Sequence, residues 1–243
     1  MTMTGQAVML PVVTLDGPAG VGKTTLARGL AEELQLAYLD TGAMFRCLAL
    51  KLGEGGHALP EEEIRRRCAA WQFSLTGSGK ATQICCNGVP IGNEVRTETV
   101  GMLASRLATV GVVRTLLAQA QRELARHSDG DATQAPIVPI VVEGRDMGTV
   151  VFPTAACKFF LDARPEVRAM RRLRDLQERG QDADLATLTR QIEERDNQDR
   201  NRAIAPLRPA EDAILVDTSD LDIDGVMRQL LHHARACHFF GKR

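Results

Sequence analysis

The run Gly17-Pro18-Ala19-Gly20-Val21-Gly22-Lys23-Thr24 constrains this 243-residue chain more than any other feature. It matches the pattern GxxxxGK[ST]. Residues 11–16 before it are apolar in the manner of a buried parallel strand, and Leu26, Leu30 and Leu34 after it repeat at a spacing of four, one helical stripe. Glycines in such a turn allow successive backbone N–H groups to converge on phosphate oxygens with no Cβ in the way, and the helix N-terminus adds its partial positive charge. Residues Gly17, Pro18, Ala19, Gly20, Val21, Gly22, Lys23, Thr24 and Thr25 are therefore the candidate nucleoside triphosphate site. Lys23 is expected to reach the β and γ phosphates, and the Thr24 hydroxyl to ligate Mg²⁺. The bland alternative, a chance match in a glycine-rich turn, is disfavoured by the strand and helix on either side.

Further short apolar segments at 137–142, 157–161 and 213–216 alternate with helical patterns, which predicts an α/β fold with a parallel sheet covered on both faces. Residues 59–95 break that rhythm. Pro60 followed by Glu61, Glu62 and Glu63 reads as a helix start, and segments 71–75, 81–86 and 89–91 follow as short strands. Asn87-Gly88 between two of them is a two-residue hairpin signal. An inserted meander suggests a substrate-binding appendage; a purely structural excursion is the alternative. Two helical stripes come next, through Val100, Leu103, Leu107 and Val110, then through Val113, Leu116, Leu117, Ala120 and Leu124. Residues 127–136 read as a polar loop. Helices are expected from Pro165 to Gly180, from about Asp184, and over 223–236.

A formal net charge of −1 argues against a partner recruited by overall charge, such as a nucleic acid. Aromatic residues make up only 4%, so the core must rest on Leu, Val, Ile and Ala. No apolar stretch reaches bilayer length, and the first nine residues lack the basic-then-apolar order of a signal peptide. The six cysteines show no CxxC spacing and have no histidine at ligand spacing, as expected of reduced thiols in a cytoplasmic protein. His232 and His233 read as solvated positions on a polar helix.

Among phosphate-loop proteins, a guanine-nucleotide switch should show Asn-Lys-x-Asp, which is absent. The segment 137–142 runs into Glu143-Gly144-Arg145-Asp146, which puts Arg145 at the carboxyl edge of the sheet, where ligands of open parallel sheets bind. An arginine there suits an acceptor that is itself a phosphate. Arg168, Arg171 and Arg172 stand at i, i+3 and i+4, one helical face from which mobile arginines could neutralise a transferring phosphoryl group. Arg195, Asp199 and Arg202 share another face if their helix continues that far. A solvated helix laced by ion pairs is the plain reading of such runs. Behind a phosphate loop and an arginine-bearing strand end, the ligand reading is preferred.

Four separated segments in register resemble the bacterial cytidylate kinases, a family of P-loop nucleoside monophosphate kinases. They are Asp16–Thr25, the run Leu39-Asp40-Thr41-Gly42-Ala43-Met44-Phe45-Arg46, the run Gly144-Arg145-Asp146-Met147-Gly148-Thr149-Val150-Val151-Phe152-Pro153, and Glu194-Arg195-Asp196 with Asp199-Arg200-Asn201-Arg202-Ala203. The resemblance implies a P-loop NTPase fold with a five-stranded parallel core, an inserted monophosphate-binding subdomain at about 59–100 and a helical lid at about 164–200. It implies that Thr41, Ser105, Arg114 and Asp146 surround the cytosine and sugar, and that Arg46, Arg145 and Arg202 hold the acceptor phosphate. Arg195, Asp199 and Ser105 would face the ribose, and Arg168, Arg171 and Arg172 would fall in the lid. Thr41, Glu143 and Gln198 depart from the residues usual in the family, without removing an implied ligand.

The expected reaction is phosphoryl transfer from ATP, with Mg²⁺, to CMP and dCMP by a monomeric cytoplasmic enzyme of pyrimidine metabolism that takes small-molecule substrates and binds neither nucleic acid nor membrane. The catalytic set would be Lys23, Arg145, Arg168, Arg171, Arg172 and Arg202. Two other classes fit parts of the pattern: a P-loop kinase for a different monophosphate or small metabolite, and a nucleotide switch with no acceptor at all.

Overall fold

A computed structural model describes residues 9–77, 79–126, 138–178, 180–237 and 239–240. The chain runs β1 (Leu10–Asp16), α1 (Lys23–Leu34), β2 (Ala37–Asp40), α2 (Thr41–Leu52) and α3 (Glu61–Cys68). Then come β3 (Phe73–Thr76), β4 (Gln83–Cys86), β5 (Val89–Pro90), α4 (Glu98–Leu107) and α5 (Gly111–Leu124). It ends with β6 (Ile140–Gly144), β7 (Ala155–Asp162), α6 (Pro165–Gln177), α7 (Leu185–Asn201), β8 (Ile214–Asp217) and α8 (Ile223–Ala236). The polar loop expected at 127–136 lies outside the described residues, and the strand after it begins at Ile140 rather than 137.

Five strands form one sheet in the order β2-β6-β1-β7-β8, and every neighbouring pair is parallel. β1 is the centre, and the chain leaves it first to one side and later to the other, which opens a crevice beyond its carboxyl end. The period-two alternation of side chains divides the core. Val12, Leu39, Ile140 and Val142 face a cluster with Met44, Leu48, Leu107 and Leu117 from α2, α4 and α5. Val13, Leu15, Val141 and Phe159 face the opposite cluster, with Leu26 and Leu30 of α1 and Leu230 of α8. Both faces of the central strands are dry, which is why they read as unbroken apolar runs.

β2 was not visible as a periodic segment because it spans only four residues; the family resemblance alone implied a fifth strand. The meander forms as expected, an antiparallel sheet β3-β4-β5 whose turn places Asn87 and Gly88 at φ 53° and 76°, the left-handed conformation of a primed hairpin turn. It is packed into the molecule: buried Ile64 and Ile84 join the α2/α4/α5 cluster, with Phe73 and Trp71 against it. α6 and α7 pack on each other through Ala169, Leu176 and Leu188, an apolar cluster separate from the two that flank the sheet.

Gly17 joins β1 to the phosphate loop at φ 148°, and a Cβ there would lie 2.1 Å from the Leu161 carbonyl oxygen of β7. Gly53 has φ 73° but open space around its Cβ position. Gly17→Ala is therefore expected to lose on the order of 3 kcal/mol, from backbone strain plus a backbone clash that cannot relax. Gly53→Ala should lose only the strain component, about 1 kcal/mol. Equilibrium urea unfolding of the two variants checks the contrast, and equal losses would contradict it.

Candidate active site

The carboxyl ends of β1, β2 and β6 and the N-termini of α1 and α2 converge on one cleft of about 1790 Å³. Its floor is the phosphate loop. Gly22 caps α1 at φ 85°, ψ 14° without any side-chain cap, so the first amides of the helix stay free for a ligand. Asp16, at the end of β1, accepts from the N–H groups of Met147 (2.9 Å) and Gly148 (2.8 Å), and so fixes the single π-turn over Met147–Val151 that follows β6. Burial pushes the Asp16 carboxyl up to about 6, although the two amide bonds oppose the shift.

Lys23 Nζ donates to the Pro18 carbonyl at 2.6 Å across its own loop. Burial, reinforced by the nearby positive charge of Arg145, drives Lys23 well below the usual lysine range. A polyanion entering the loop would reverse that balance. Thr24 Oγ1 donates to Glu143 Oε2 at 3.1 Å, and Tyr38 donates its hydroxyl to the other oxygen of the same carboxylate. A hydroxyl and a carboxylate side by side beside a phosphate loop are the hard oxygen donors that magnesium takes, with phosphate and water completing its shell. The residues present fit that ion. Among the described residues there is no three-ligand cluster that would hold a metal without a nucleotide.

On the other side of the cleft the expected acceptor residues come together. Arg114 and Asp146 form a buried ion pair, with Arg114 also donating to the Ala108 carbonyl at 3.1 Å. Arg202 lies 3.8 Å from Asp146 and 3.6 Å from Asp199, and Arg145 Nε donates to Asp199 at 3.1 Å. Burial works against ionisation of Asp199, but the charges of Arg145, Arg195 and Arg202 outweigh it and hold the carboxyl below its usual range. Arg195 is itself lowered to about 10, by burial first and then by Arg145. Its Nε and the Nη2 of Arg202 are buried with no hydrogen-bond partner among the described residues. Arg46 donates to the Val95 carbonyl at 3.2 Å, and Ser105 and Arg172 line the same cleft. Thr41 donates its hydroxyl to the Glu143 carbonyl at 2.7 Å, so toward the cleft it can only accept.

Three of the named arginines have surroundings that spacing alone did not convey. Arg168 does not share the exposure of Arg172: it is 1% exposed, its guanidinium spent on Asp196 and on the carbonyls of Ala19 and Ala163. A residue on the inward edge of α6 is drawn against α7, and the i, i+3, i+4 spacing alone could not separate inward from outward. Arg171 borders the cleft but gives both terminal nitrogens to Thr218, at Oγ1 and the carbonyl. Arg202 stands beyond the end of α7 with extended backbone (ψ 141°), and reaches the cleft through a bend, not a helical face. Sequence reasoning also passed over Arg96, which donates to Asp40 at 3.0 Å at the cleft wall, and Tyr38, whose hydroxyl holds Glu143. An arginine six residues past the end of β5 gave no periodic signal; the alternation of β2 around Tyr38 was too short to read.

A family model described as cytidylate kinase matches residues 13–236. The chain belongs to the cytidylate kinase family. A cytidylate kinase of Nitratidesulfovibrio vulgaris is 58% identical over 235 residues, 97% of each chain. Those of Oleidesulfovibrio alaskensis and Dichelobacter nodosus are 54% and 43% identical, covering 90% and 96% of this chain and 96% and 99% of theirs. Family membership extends across both halves of the cleft. No single helix among the described residues is long and apolar enough to cross a membrane, and all six cysteines are free.

Glu143 sits at the junction of the two halves, and burial, with the Asp40 charge next, raises it from 4.5 to about 7. The folded chain therefore keeps this proton through a range in which the unfolded chain has released it, and stability falls as pH rises from about 4.5 to 7. Glu143→Gln removes that slope. Without nucleotide, the melting temperature of the variant relative to wild type should be higher at pH 8 than at pH 5, measured by differential scanning fluorimetry. A difference independent of pH would contradict the assignment.

Proposed function

We propose that this chain is a (d)CMP kinase that transfers the γ-phosphoryl group of ATP to CMP and dCMP by direct in-line displacement. The family match and the 58% identity to a cytidylate kinase support the reaction class. The observation that carries the acceptor is the group of arginines lining the cleft with the phosphate loop, in which Arg195 Nε and Arg202 Nη2 are buried with no hydrogen bond among the described residues. Buried donors left unpaired are costly, and an anionic ligand satisfies them.

In this reading the loop Gly17–Thr25 cradles the triphosphate and Lys23 leaves the Pro18 carbonyl for phosphate oxygens. Thr24, with Glu143 beside it, holds Mg²⁺, which supplies charge neutralisation on the phosphates when bound. Arg46, Arg145 and Arg202 grip the acceptor phosphate. An oxygen of that phosphate attacks the γ-phosphorus as the bond to the β-bridging oxygen breaks, and ADP leaves with that oxygen. The acceptor is already anionic at neutral pH, so the residues have little proton transfer to perform; positioning and charge neutralisation remain. Arg172, Arg195 and Arg171, the last on release from Thr218, surround the charge spread over the equatorial oxygens.

Base choice follows from Arg114, Asp146 and Thr41. Cytosine offers an amine donor beside two acceptors, N3 and O2, which a carboxylate and a guanidinium satisfy together; the lone pairs of Thr41 add a second acceptor. Uracil presents O4 where the carboxylate needs a donor, and mismatches of this kind separate substrates by up to about 10⁴-fold. Arg195, Asp199 and Ser105 line the cleft where the sugar would lie, and both CMP and dCMP are taken as acceptors. The meander and the α6/α7 pair act as acceptor-side wall and lid, closing out water that would hydrolyse ATP. The enzyme works as a cytoplasmic monomer.

A coupled ADP-release assay over CMP, dCMP, UMP, AMP and shikimate should show turnover with the two cytidylates at least about 10²-fold above the rest in kcat/KM. Asp146→Ala should lower kcat/KM for CMP by about 10³-fold while the affinity for a fluorescent ATP analogue changes less than about threefold. Unaltered CMP kinetics in that variant, or preferred use of another acceptor by wild type, would refute the base-pocket assignment.

A further inference from the structure

Arg168 is the largest fully buried side chain among the described residues, and its position is unusual for a charged residue. Nε donates to the Ala163 carbonyl at 2.8 Å, just past the end of β7. Nη1 donates to Asp196 Oδ1 at 3.0 Å and to the Ala19 carbonyl at 3.1 Å, and Nη2 donates to Asp196 Oδ2 at 2.5 Å. One guanidinium thus links α6 to α7, to the sheet edge and to the phosphate loop.

The bond to Ala19 has a consequence for the loop. Peptide bonds here are trans and planar, so the carbonyl of Ala19 and the N–H of Gly20 point in opposite directions. Holding the carbonyl outward, toward α6, turns the Gly20 N–H toward the concave side, where phosphate oxygens are bound. Gly20 lies at φ 82°, and its Cβ position is 3.2 Å from Arg168 Cβ, so the loop and α6 meet at close range at this point. Among the described residues, the buried apolar side chains of the α6/α7 pair, Ala169, Leu176 and Leu188, form a cluster apart from those on the sheet. The pair's alignment over the loop therefore depends strongly on the polar clamp.

We propose that Arg168, locked by Asp196, is a positioning residue for phosphoryl transfer: it orients the Ala19–Gly20 peptide of the phosphate loop and sets the lid pair relative to it. This rests on the phosphotransfer reading above. The residue touches neither nucleotide; it acts through a backbone amide and through the placement of α7, which carries Arg195 and Asp199. A lysine has the charge but lacks the planar fork, and cannot span three acceptors with the same geometry.

The test compares Arg168→Lys, Asp196→Asn and, as a control, Arg164→Met, whose native partner is an exposed ion pair with Asp220 at the start of α6. Circular dichroism first establishes that each variant is folded at the assay temperature. Arg168→Lys should lose about tenfold or more in kcat, with KM for CMP within about threefold, and with a larger share of ATP hydrolysed without phosphate reaching CMP. Asp196→Asn should shift the same two quantities in the same direction, and it carries the test if the lysine variant does not fold. The control should match wild type. A folded Arg168→Lys, or failing that a folded Asp196→Asn, with lowered melting temperature but wild-type kcat and wild-type hydrolytic leakage would show a purely structural role and overturn the proposal. Failure of wild type to use CMP would instead strike the acceptor assignment; uncoupled hydrolysis and ATP-analogue affinity still report on Arg168.

Discussion

Positive charge has to be concentrated at the carboxyl edge of the sheet before any phosphate arrives, and the rest of the cleft is arranged around that demand. Asp199 is the pivot. It takes Arg145 Nε at 3.1 Å and stands 3.6 Å from Arg202, while Arg195 acts on it through its charge. One carboxylate among three guanidinium groups leaves the site cationic and leaves donors unsatisfied, so the protein stores a binding preference as incomplete pairing. Asp146 does the same between Arg114 and Arg202. The ligand-free cleft is stable enough to persist and unsaturated enough to attract an anion.

The opposite pole is built from acids kept near neutrality. Asp16 and Glu143 are both buried at strand ends, raised to about 6 and about 7, and both are committed to hydrogen bonds that fix backbone or neighbouring side chains. Their charges favour the protonated Lys23, but burial and Arg145 outweigh them and hold the lysine well below its usual range. Arginines thus gather on one wall of the cleft, and buried acids with raised carboxyls on the other.

Much of this architecture was legible in the residues. Glycine at 17, 20 and 22 reported positive φ angles, and Asn87-Gly88 reported the hairpin. Asp184 caps α7 by accepting from the Thr187 amide, and helix α8 began and ended where its apolar spacing placed it. What escaped was decided by tertiary contacts. The strand Ala37–Asp40 is too short to show a period, and the π-turn at Met147–Val151 exists because Asp16 takes two of its amides. Of the α6 arginines, spacing identified the helical face, but burial of Arg168, engagement of Arg171 by Thr218 and the freedom of Arg172 depend on what lies above and below that face. The residues named for the base and phosphate did converge, yet their roles came by resemblance, since no local pattern distinguishes Arg114 from any other helical arginine.

The separate apolar cluster between α6 and α7 carries an implication for how such a protein responds to temperature. For the α6/α7 pair proposed above as a lid, a swing that leaves this interior sealed would wet little new hydrocarbon. Heat capacity tracks the hydrocarbon newly wetted. An equilibrium between open and shut forms of such a lid would then vary gently and almost linearly with warming, unlike the sharply curved response of a hinge that must peel one core from another.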